Sequence, residues 1–223
     1  ECWELVNTAE ETGMQCMMLE NHCFDRIEMS ALKMVRDGLF GEMLHYECGY
    51  CHDLRGVKFR PGAEFGPSAQ GEARWRTYHS QKRNGDLYPT HGLGPIANCL
   101  DDNRGNRMVT LTSIASKSRS LQEYIIKQGG EDHPNADINW TLGDIITTVI
   151  KCQNGETVTI THDTNSPRPY SNNMMAQGTQ GLWIYHRDLC NSVHVEGRSP
   201  NHRWEPWENY IPEFEHPLWK KFT

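Results

Sequence analysis

Two runs of β-branched residues joined by an Asn-Gly pair constrain the fold of this chain more than any other feature. Asp144–Lys151 and Thr157–His162 are rich in Ile, Val and Thr, and Asn154-Gly155 lies between them. Asn-Gly is a preferred pair for a tight turn between antiparallel strands, because both residues readily adopt positive φ angles. The sequence therefore predicts a hairpin here and an antiparallel sheet around it.

Further strands and helices are predicted on both sides of this hairpin. Alternating or short apolar runs predict strands over Met43–Tyr50, Met108–Ser116, Gly181–Tyr185 and Ser192–Val195. Apolar residues at helical spacing predict helices over Cys2–Thr12, from Ile27 to Val35 and over Leu93–Leu100. We therefore predict an α+β fold, with an open, mostly antiparallel sheet and helices on one face.

Two other segments carry expectations of their own. The continuous apolar run Cys16–Leu19 is typical of a strand buried on both faces of a parallel sheet. Together with the helix before it, this run predicts the last helix and strand of such a sheet. Gly56–Asn84 shows little periodicity, and its Trp75 favours a functional loop over a disordered one.

Composition excludes several classes of protein. No apolar run is long enough to cross a bilayer, so we expect no membrane span. The net charge of -7, without a basic stripe, argues against a nucleic-acid partner.

Cys48 and Cys51 form a C-x-x-C near two histidines, but strand alternation places the two thiols on opposite faces and no second ligand pair follows. We therefore predict no metal site.

The run from Arg83 to Pro95 carries the strongest signal for a catalytic site. Pro89 suits the first position of a helix, where its missing N–H would have no partner. Tyr88 and His91 would then lie about one turn apart and could face the same side. Two groups able to carry protons would share one small volume, as acid–base chemistry requires. The alternative is a hydrogen-bonded corner with no chemistry.

Two more clusters follow predicted strands. Glu47–Arg55 and His162–Tyr170 each combine aromatic, imidazole, acidic and arginine side chains. Glu20 follows the apolar run Cys16–Leu19, and ligands of open α/β sheets bind at the carboxyl ends of strands. Three such clusters favour a site, although Glu20 could instead cap the next turn.

These motifs together resemble a known family. They are Leu19–Asn21, Glu47–Arg55, Trp75-Arg76, Asn84–Pro95, Asn103–Arg107 and His162–Tyr170. They resemble glycoside hydrolase family 109, the NAD-dependent α-N-acetylgalactosaminidases of the Gfo/Idh/MocA oxidoreductase superfamily. General members of that superfamily often have Asp four residues before the histidine. Here that position is Leu87 and Tyr88 follows it, in agreement with the glycosidase branch.

The resemblance implies a domain organisation. Family members carry an N-terminal Rossmann domain with a glycine-rich dinucleotide fingerprint, which this sequence lacks. We therefore expect residues 1–21 to be the tail of the nucleotide-binding domain. Residues 22–223 would be the substrate and oligomerisation domain, without its C-terminal end. NAD would be bound mainly by the missing part, its ligands in this chain are unassigned, and we expect the piece alone to be inactive.

The resemblance also implies a reaction. Oxidation of the sugar at C3 acidifies the C2 proton, the C1–O bond breaks by elimination, water adds, and re-reduction completes a net hydrolysis. His91 would serve the C3 hydroxyl, and Tyr50 and Tyr88 are both candidates for removing the C2 proton. A phenol has a pKa of about 10, which a cation such as Arg76 would lower.

The remaining implied roles concern binding. His52 would assist the leaving group, and Glu20, Arg76 and Tyr170 would bind the sugar. The substrate would be a glycan or glycoside with terminal N-acetylgalactosamine, and the protein would form a homo-oligomer through its sheet face. Members are bacterial and often exported, which is compatible with a periplasmic or secreted location. Two alternatives are a sugar or polyol NAD-dependent dehydrogenase of the same superfamily and a non-catalytic carbohydrate-binding or dimerisation module.

Overall fold

Eight strands form one sheet in residues 2–59 and 71–222, which a computed structural model describes. The strands are β1 (Met43–Cys51), β2 (Met108–Ala115), β3 (Ile145–Cys152), β4 (Thr157–Asp163), β5 (Met174–Gly178), β6 (Gly181–Tyr185), β7 (Asn191–Val195) and β8 (Glu205–Pro206). The helices are α1 (Cys2–Thr12), α2 (Arg26–Arg36), α3 (Arg55–Lys58), α4 (Glu72–Lys82), α5 (Thr90–Cys99), α6 (Ser120–Gly129) and α7 (Ile211–Phe214). Short 3₁₀ turns lie at Asn21–Phe24, Trp207–Asn209 and Trp219–Lys221.

The strand order is β2-β3-β4-β1-β5-β6-β7-β8. The predicted hairpin is confirmed: β3 and β4 pair antiparallel from Ile145↔Asp163 to Lys151↔Thr157. Strands β1 and β4 run parallel, whereas the other described neighbours are antiparallel. The mostly antiparallel sheet of the prediction is therefore confirmed, with one parallel pair at its centre.

Helices cover one face of this sheet. On the covered face, Tyr46, Cys48, Ile150, Val158 and Ile160 are buried in the main core, against which α2 and α5 pack. Side chains of the same strands alternate between the two faces. The opposite face leaves apolar side chains exposed, among them Ile114, Ile145 and Val149. The predicted placement of helices on one face is confirmed.

Helix α5 lies very close to strand β1 because both carry glycine at the contact. A Cβ on Gly92 would lie 2.5 Å from the Gly49 nitrogen and 2.8 Å from its oxygen. A Cβ on Gly94 would lie 2.8 Å from Cγ of Glu20. These two glycines bring the first turn of α5 against the end of β1 and against Glu20.

The strand predicted at Cys16–Leu19 is absent. Helix α1 forms as predicted, but the apolar run after it is irregular, and Met17 and Met18 are 74% and 72% exposed. A strand buried on both faces needs a neighbour on each side. Among the described residues no strand pairs with this segment.

The predicted loop over Gly56–Asn84 is wrong in its described parts. Residues 60–70 lie outside them, but α3 and α4 form on either side. Helix α4 shows no apolar stripe because its buried face includes Arg76, Thr77 and Ser80. Hydrophobic periodicity cannot reveal a helix that buries polar side chains.

The described helices include none that is both long and apolar enough to cross a membrane. All eight cysteines have free thiols.

Candidate active site

The clusters predicted from the sequence meet at the carboxyl ends of the parallel strands β1 and β4. Tyr50 pairs in register with His162 near these ends, and His52 follows directly. A backbone bridge between Cys51 and Ser171 holds the loop that carries Tyr170 beside the end of β1. Both strands point the same way, so residues far apart in sequence reach one edge of the sheet.

Glu20 and His91 form the most direct polar contact of the site. Oε1 of Glu20 lies 2.6 Å from Nδ1 of His91 and also accepts the His22 backbone N–H at 3.1 Å. Burial raises the pKa of Glu20, but the hydrogen bonds from His22, His91 and Thr90 and the charge of His91 outweigh it. The net pKa is lowered, so this carboxyl is ionised at neutral pH and orients the imidazole.

Two phenol rings lie beside the imidazole of His91 and beside each other. The ring centroids of Tyr88 and His91 are 4.9 Å apart, those of Tyr50 and Tyr88 4.8 Å, and those of Tyr50 and His91 5.4 Å. The prediction that Tyr88 and His91 share one small volume is thus confirmed. Helix α5 begins at Thr90, with Pro89 as its N-cap, one position later than predicted.

Arg76 lies behind Tyr88. Its guanidinium is 4.1 Å from the ring centroid of Trp75 and 5.4 Å from that of Tyr88, and it pairs with Glu72 at 2.6 Å. Arg76 is 7% exposed. A planar cation over two aromatic faces fixes those rings and places positive charge beside the phenols.

The expected lowering of the phenol pKa by Arg76 is not observed for Tyr50. Burial raises the pKa of Tyr50, and the charge of Arg76 lowers it only in part. The net shift is upward because Tyr50 is 5% exposed and an isolated phenolate there would lose its hydration. Tyr50 is therefore a neutral phenol in this state.

His52 connects Tyr50 to Tyr170. Its Nδ1 lies 3.3 Å from the Tyr50 hydroxyl, and its ring centroid is 4.8 Å from that of Tyr170. Burial, followed by the charge of Arg76, lowers the pKa of His52, so its imidazole is neutral at pH 7. A neutral imidazole beside two phenols can pass protons in either direction.

All seven side chains singled out from the sequence therefore lie in one continuous cluster: Glu20, Tyr50, His52, Arg76, Tyr88, His91 and Tyr170. Sequence analysis missed His22, whose ring lies 4.5 Å from that of His91. It also missed the pairing of His162 Nδ1 with Asp86, at 3.0 Å. Its position two residues after Glu20 is the feature of the sequence that could have pointed to His22.

The Cys-x-x-Cys pair lies on β1, where Cys51 directly follows Tyr50. Cys48 is in the main core, whereas Sγ of Cys51 contacts the Thr161 carbonyl at 3.6 Å and the Asn173 amide at 3.3 Å. Burial raises the pKa of the Cys51 thiol to about 11, which disfavours the thiolate that binds metals. The two thiols thus have different surroundings.

Comparison with known families gives a match over most of the chain. Residues 24–223 match the family described as "Glycosyl hydrolase 109, C-terminal domain". An α-N-acetylgalactosaminidase of Tannerella forsythia is 53% identical over 98% of this chain and 48% of its own length. A glycosyl hydrolase family 109 protein of Parabacteroides distasonis is 52% identical over 98% of this chain and 49% of its own length. The chain thus spans about half the length of these curated relatives.

Solved structures share the fold at low sequence identity. An NAD binding oxidoreductase from Klebsiella pneumoniae superposes with a TM-score of 0.62 at 16% identity, covering 91% of this chain and 48% of that structure. An inositol dehydrogenase homolog from Azotobacter vinelandii, complexed with NADH and myo-inositol, gives 0.58 at 14% identity, covering 88% and 44%. The predicted α+β architecture is confirmed as one found in such oxidoreductases.

Proposed function

This chain belongs to the glycosyl hydrolase 109 family, and we propose that it forms the sugar-binding part of a glycosidase that removes terminal α-linked N-acetylgalactosamine. The observation that carries this proposal is the convergence of four predicted proton-transfer groups and three predicted sugar-binding groups in one cluster. A relative at 53% identity named α-N-acetylgalactosaminidase supports the choice of sugar.

The side chains of the cluster that can accept or give protons fit a redox-assisted reaction. Hydride removal from a sugar carbon requires a group that takes the hydroxyl proton, and His91, held by ionised Glu20, is such a group. NAD, when bound, would supply the hydride acceptor. The likeness to NAD-binding oxidoreductases supports this cofactor for the whole protein.

In this proposal His91 holds the proton of the sugar C3 hydroxyl. Tyr50 and Tyr88 face the position from which the C2 proton leaves, and His52 gives a proton to the departing oxygen. The Tyr50 hydroxyl lies 3.3 Å from Nδ1 of His52, a contact through which a proton can pass, and the ring of Tyr50 lies beside that of Tyr88 with centroids 4.8 Å apart. Glu20, Arg76 and Tyr170 bind and orient the sugar.

We assign residues 1–21 to the nucleotide-binding part of the whole protein and residues 22–223 to the substrate part. Trp3 is 80% exposed and Leu19 66%. Apolar side chains of this size are usually covered in a folded protein, and the rest of a nucleotide-binding domain would cover them.

We also propose that a second copy of the protein covers the open face of the sheet. Ile114, Ile145 and Val149 lie exposed there, on neighbouring strands and among threonines. A surface of this kind suits pairing between like sheets. Light scattering of the wild type and of Val149→Lys tests this: a dimer that becomes a monomer supports it, and a monomeric wild type contradicts it.

The test of the proposed activity uses the full-length protein with NAD and p-nitrophenyl α-N-acetylgalactosaminide. We expect release of nitrophenol without net NADH, and loss of turnover in His91→Ala. Stoichiometric NADH would instead indicate the dehydrogenase alternative. A wild-type protein that binds the sugar but does not hydrolyse the glycoside would indicate a binding module.

A further inference from the structure

A histidine outside the seven predicted residues links the candidate site to the protein surface. His22 is 5% exposed and lies in the 3₁₀ turn that Glu20 caps. Its Nε2 lies 3.0 Å from the Tyr170 hydroxyl, and its Nδ1 lies 2.7 Å from Oδ2 of Asp25. Both ring nitrogens are thus engaged, one toward the site and one away from it.

The two contacts define which nitrogen carries the proton. An ionised carboxylate only accepts hydrogen bonds, so Nδ1 of a neutral His22 must be the donor to Asp25. Nε2 is then unprotonated and accepts from the Tyr170 hydroxyl. Burial, followed by the charge of His91, lowers the pKa of His22, which agrees with a neutral ring.

The groups around His22 favour reversible protonation of its imidazole. Oε1 of Glu28 lies 4.0 Å from Nδ1 and has no hydrogen-bond partner among the described residues. Burial, followed by the charge of Asp25, raises the pKa of Glu28 to about 7. Arg187 lies 4.7 Å from the ring centroid of Tyr170, and its charge opposes a permanent cation at His22.

The outer end of this chain of contacts reaches solvent. The Asp25 side chain is 43% exposed, whereas that of His22 is 6% exposed. Asp25 is the N-cap residue of α2 but makes no side-chain capping bond there. Its carboxylate is therefore available to His22, and its loss removes no capping hydrogen bond from the helix.

We propose that Asp25, His22 and Tyr170 form a proton relay, in which Tyr170 exchanges a proton with the bound glycoside rather than only binding it. The relay rests on the proposed function, because it needs a sugar beside the Tyr170 hydroxyl. His22 and Asp25 are positioning residues, since they act through Tyr170.

The relay conserves protons and charge. A substrate proton moves to the Tyr170 oxygen as the phenol proton moves to Nε2 of His22. The resulting imidazolium keeps its Nδ1–H bonded to the Asp25 carboxylate, which stabilises the positive charge. The reverse transfer returns the proton in the second half of the reaction, so no net proton is gained or lost.

Kinetics of the full-length protein with NAD test the relay. Asp25→Asn keeps the size of the side chain but cannot stabilise an imidazolium. We expect kcat to fall by about 10- to 1,000-fold with KM within about twofold, as for loss of an acid–base group. Tyr170→Phe should lower kcat similarly, and the double variant should be no slower than Tyr170→Phe alone.

Asp37→Asn is the matched control. Asp37 lies at the other end of α2, its side chain is 44% exposed, and it pairs with Lys33 only across the helix surface. We expect wild-type kinetics from this variant. Equal kcat for Asp25→Asn and Asp37→Asn would overturn the relay, as would a rise in KM with kcat unchanged.

A second measurement does not depend on turnover. Nitrogen-15 NMR of labelled histidine distinguishes the two neutral tautomers, and His22→Gln assigns the His22 signal. The relay requires a proton on Nδ1 in the wild type; a proton on Nε2 would overturn it. His22, Asp25 and Glu28 place ligand atoms within 4.8 Å of one another, so a bound metal ion is the competing explanation. In that case EDTA would abolish turnover of the wild type and a divalent cation would restore it, but the cation would not restore turnover of Asp25→Asn. That result would also overturn the relay.

The relay and the proposed function fail in different ways. If the wild type releases no nitrophenol, the proposed function is wrong. If the wild type is active and His91→Ala is not, while Asp25→Asn keeps wild-type kcat, only the relay is wrong.

Discussion

Nδ1 of His91 lies 2.6 Å from Oε1 of Glu20, although 71 positions separate the two residues in sequence. The same carboxylate oxygen accepts the backbone N–H of His22. One side chain thus orients the proposed base and caps the turn that carries the proposed relay. A change at Glu20 should therefore affect both.

Glu20→Gln should lower kcat of the full-length protein by about 10- to 100-fold, since an amide cannot stabilise a protonated His91 as a carboxylate does. The measurement is steady-state hydrolysis of the nitrophenyl glycoside with NAD. Glu131→Gln, at an exposed position between α6 and β3, is the control and should match the wild type. A Glu20→Gln variant with wild-type kcat would show that the contact has no role in turnover.

Glu20 should also make stability depend on acid pH. Its pKa in the folded protein lies below the ordinary value of 4.5, because hydrogen bonds to the ionised form outweigh burial. The stabilisation is therefore fully present above about pH 4.5 and is lost as the pH falls through the lower, folded-state value. Urea unfolding at pH 6 and at pH 4 should show a smaller loss for Glu20→Gln than for the wild type.

Gly92→Ala should destabilise the protein by about 1 to 3 kcal/mol, because the new methyl group would overlap the backbone of Gly49 and force α5 outward. Turnover should fall too, since His91 moves with the helix. Gly85→Ala is the matched control, because a Cβ there meets no atom within 4 Å. Urea midpoints and kinetics of both variants provide the comparison, and equal midpoints would contradict the close contact.

Lys58 should make stability rise with pH above neutrality. Its Nζ lies 2.8 Å from Oγ1 of Thr164 and also contacts Asn165, while burial, followed by the charge of Arg76, lowers its pKa to about 7. Between about pH 7 and the ordinary value of 10.5 the unfolded chain binds more protons, so raising the pH favours the folded state.

Lys58→Met should remove this rise, which for one proton is at most about 1.4 kcal/mol per pH unit. Unfolding free energies at pH 7 and pH 9 measure it. Lys127→Met, at an exposed position of α6, should keep the wild-type slope. A wild-type slope in Lys58→Met would show that Lys58 is charged throughout this range.

Isothermal titration of the 223-residue chain with NAD should show no binding, because its sequence contains no Gly-x-Gly-x-x-Gly dinucleotide fingerprint after a strand. Full-length protein is the positive control. Micromolar binding by the 223-residue chain would mean that residues of the sugar side hold the dinucleotide, contrary to the assigned division.

The local features of the site could be predicted from the sequence. Gly and Pro around Tyr88 and His91 fix the backbone strongly enough to place both side chains on one side. The hairpin at Asn154-Gly155 was predictable for the same reason. Strand β1, next to this hairpin, was also predictable as a strand. Its parallel pairing with β4 was not, because no local feature of the sequence specifies a partner more than 100 positions away.

The missed features depend on contacts distant in sequence. His22 has no motif spacing of its own, and its link to Tyr170 spans 148 positions. Helix α4 was hidden because it buries Arg76 instead of an apolar stripe. The strand predicted at Cys16–Leu19 was wrong for the opposite reason. The apolar composition of this run predicts burial, but among the described residues no strand pairs with it.

The backbone contact between Gly92 and Gly49 has a consequence for engineering substrate range. The side of the candidate site formed by the first turn of α5 rests on the sheet itself, so that helix has no room to move back for a bulkier sugar. Tyr88 and Tyr170 lie on loops, which tolerate changes in length. Libraries aimed at new glycosides should therefore vary those two loops and leave the helix alone.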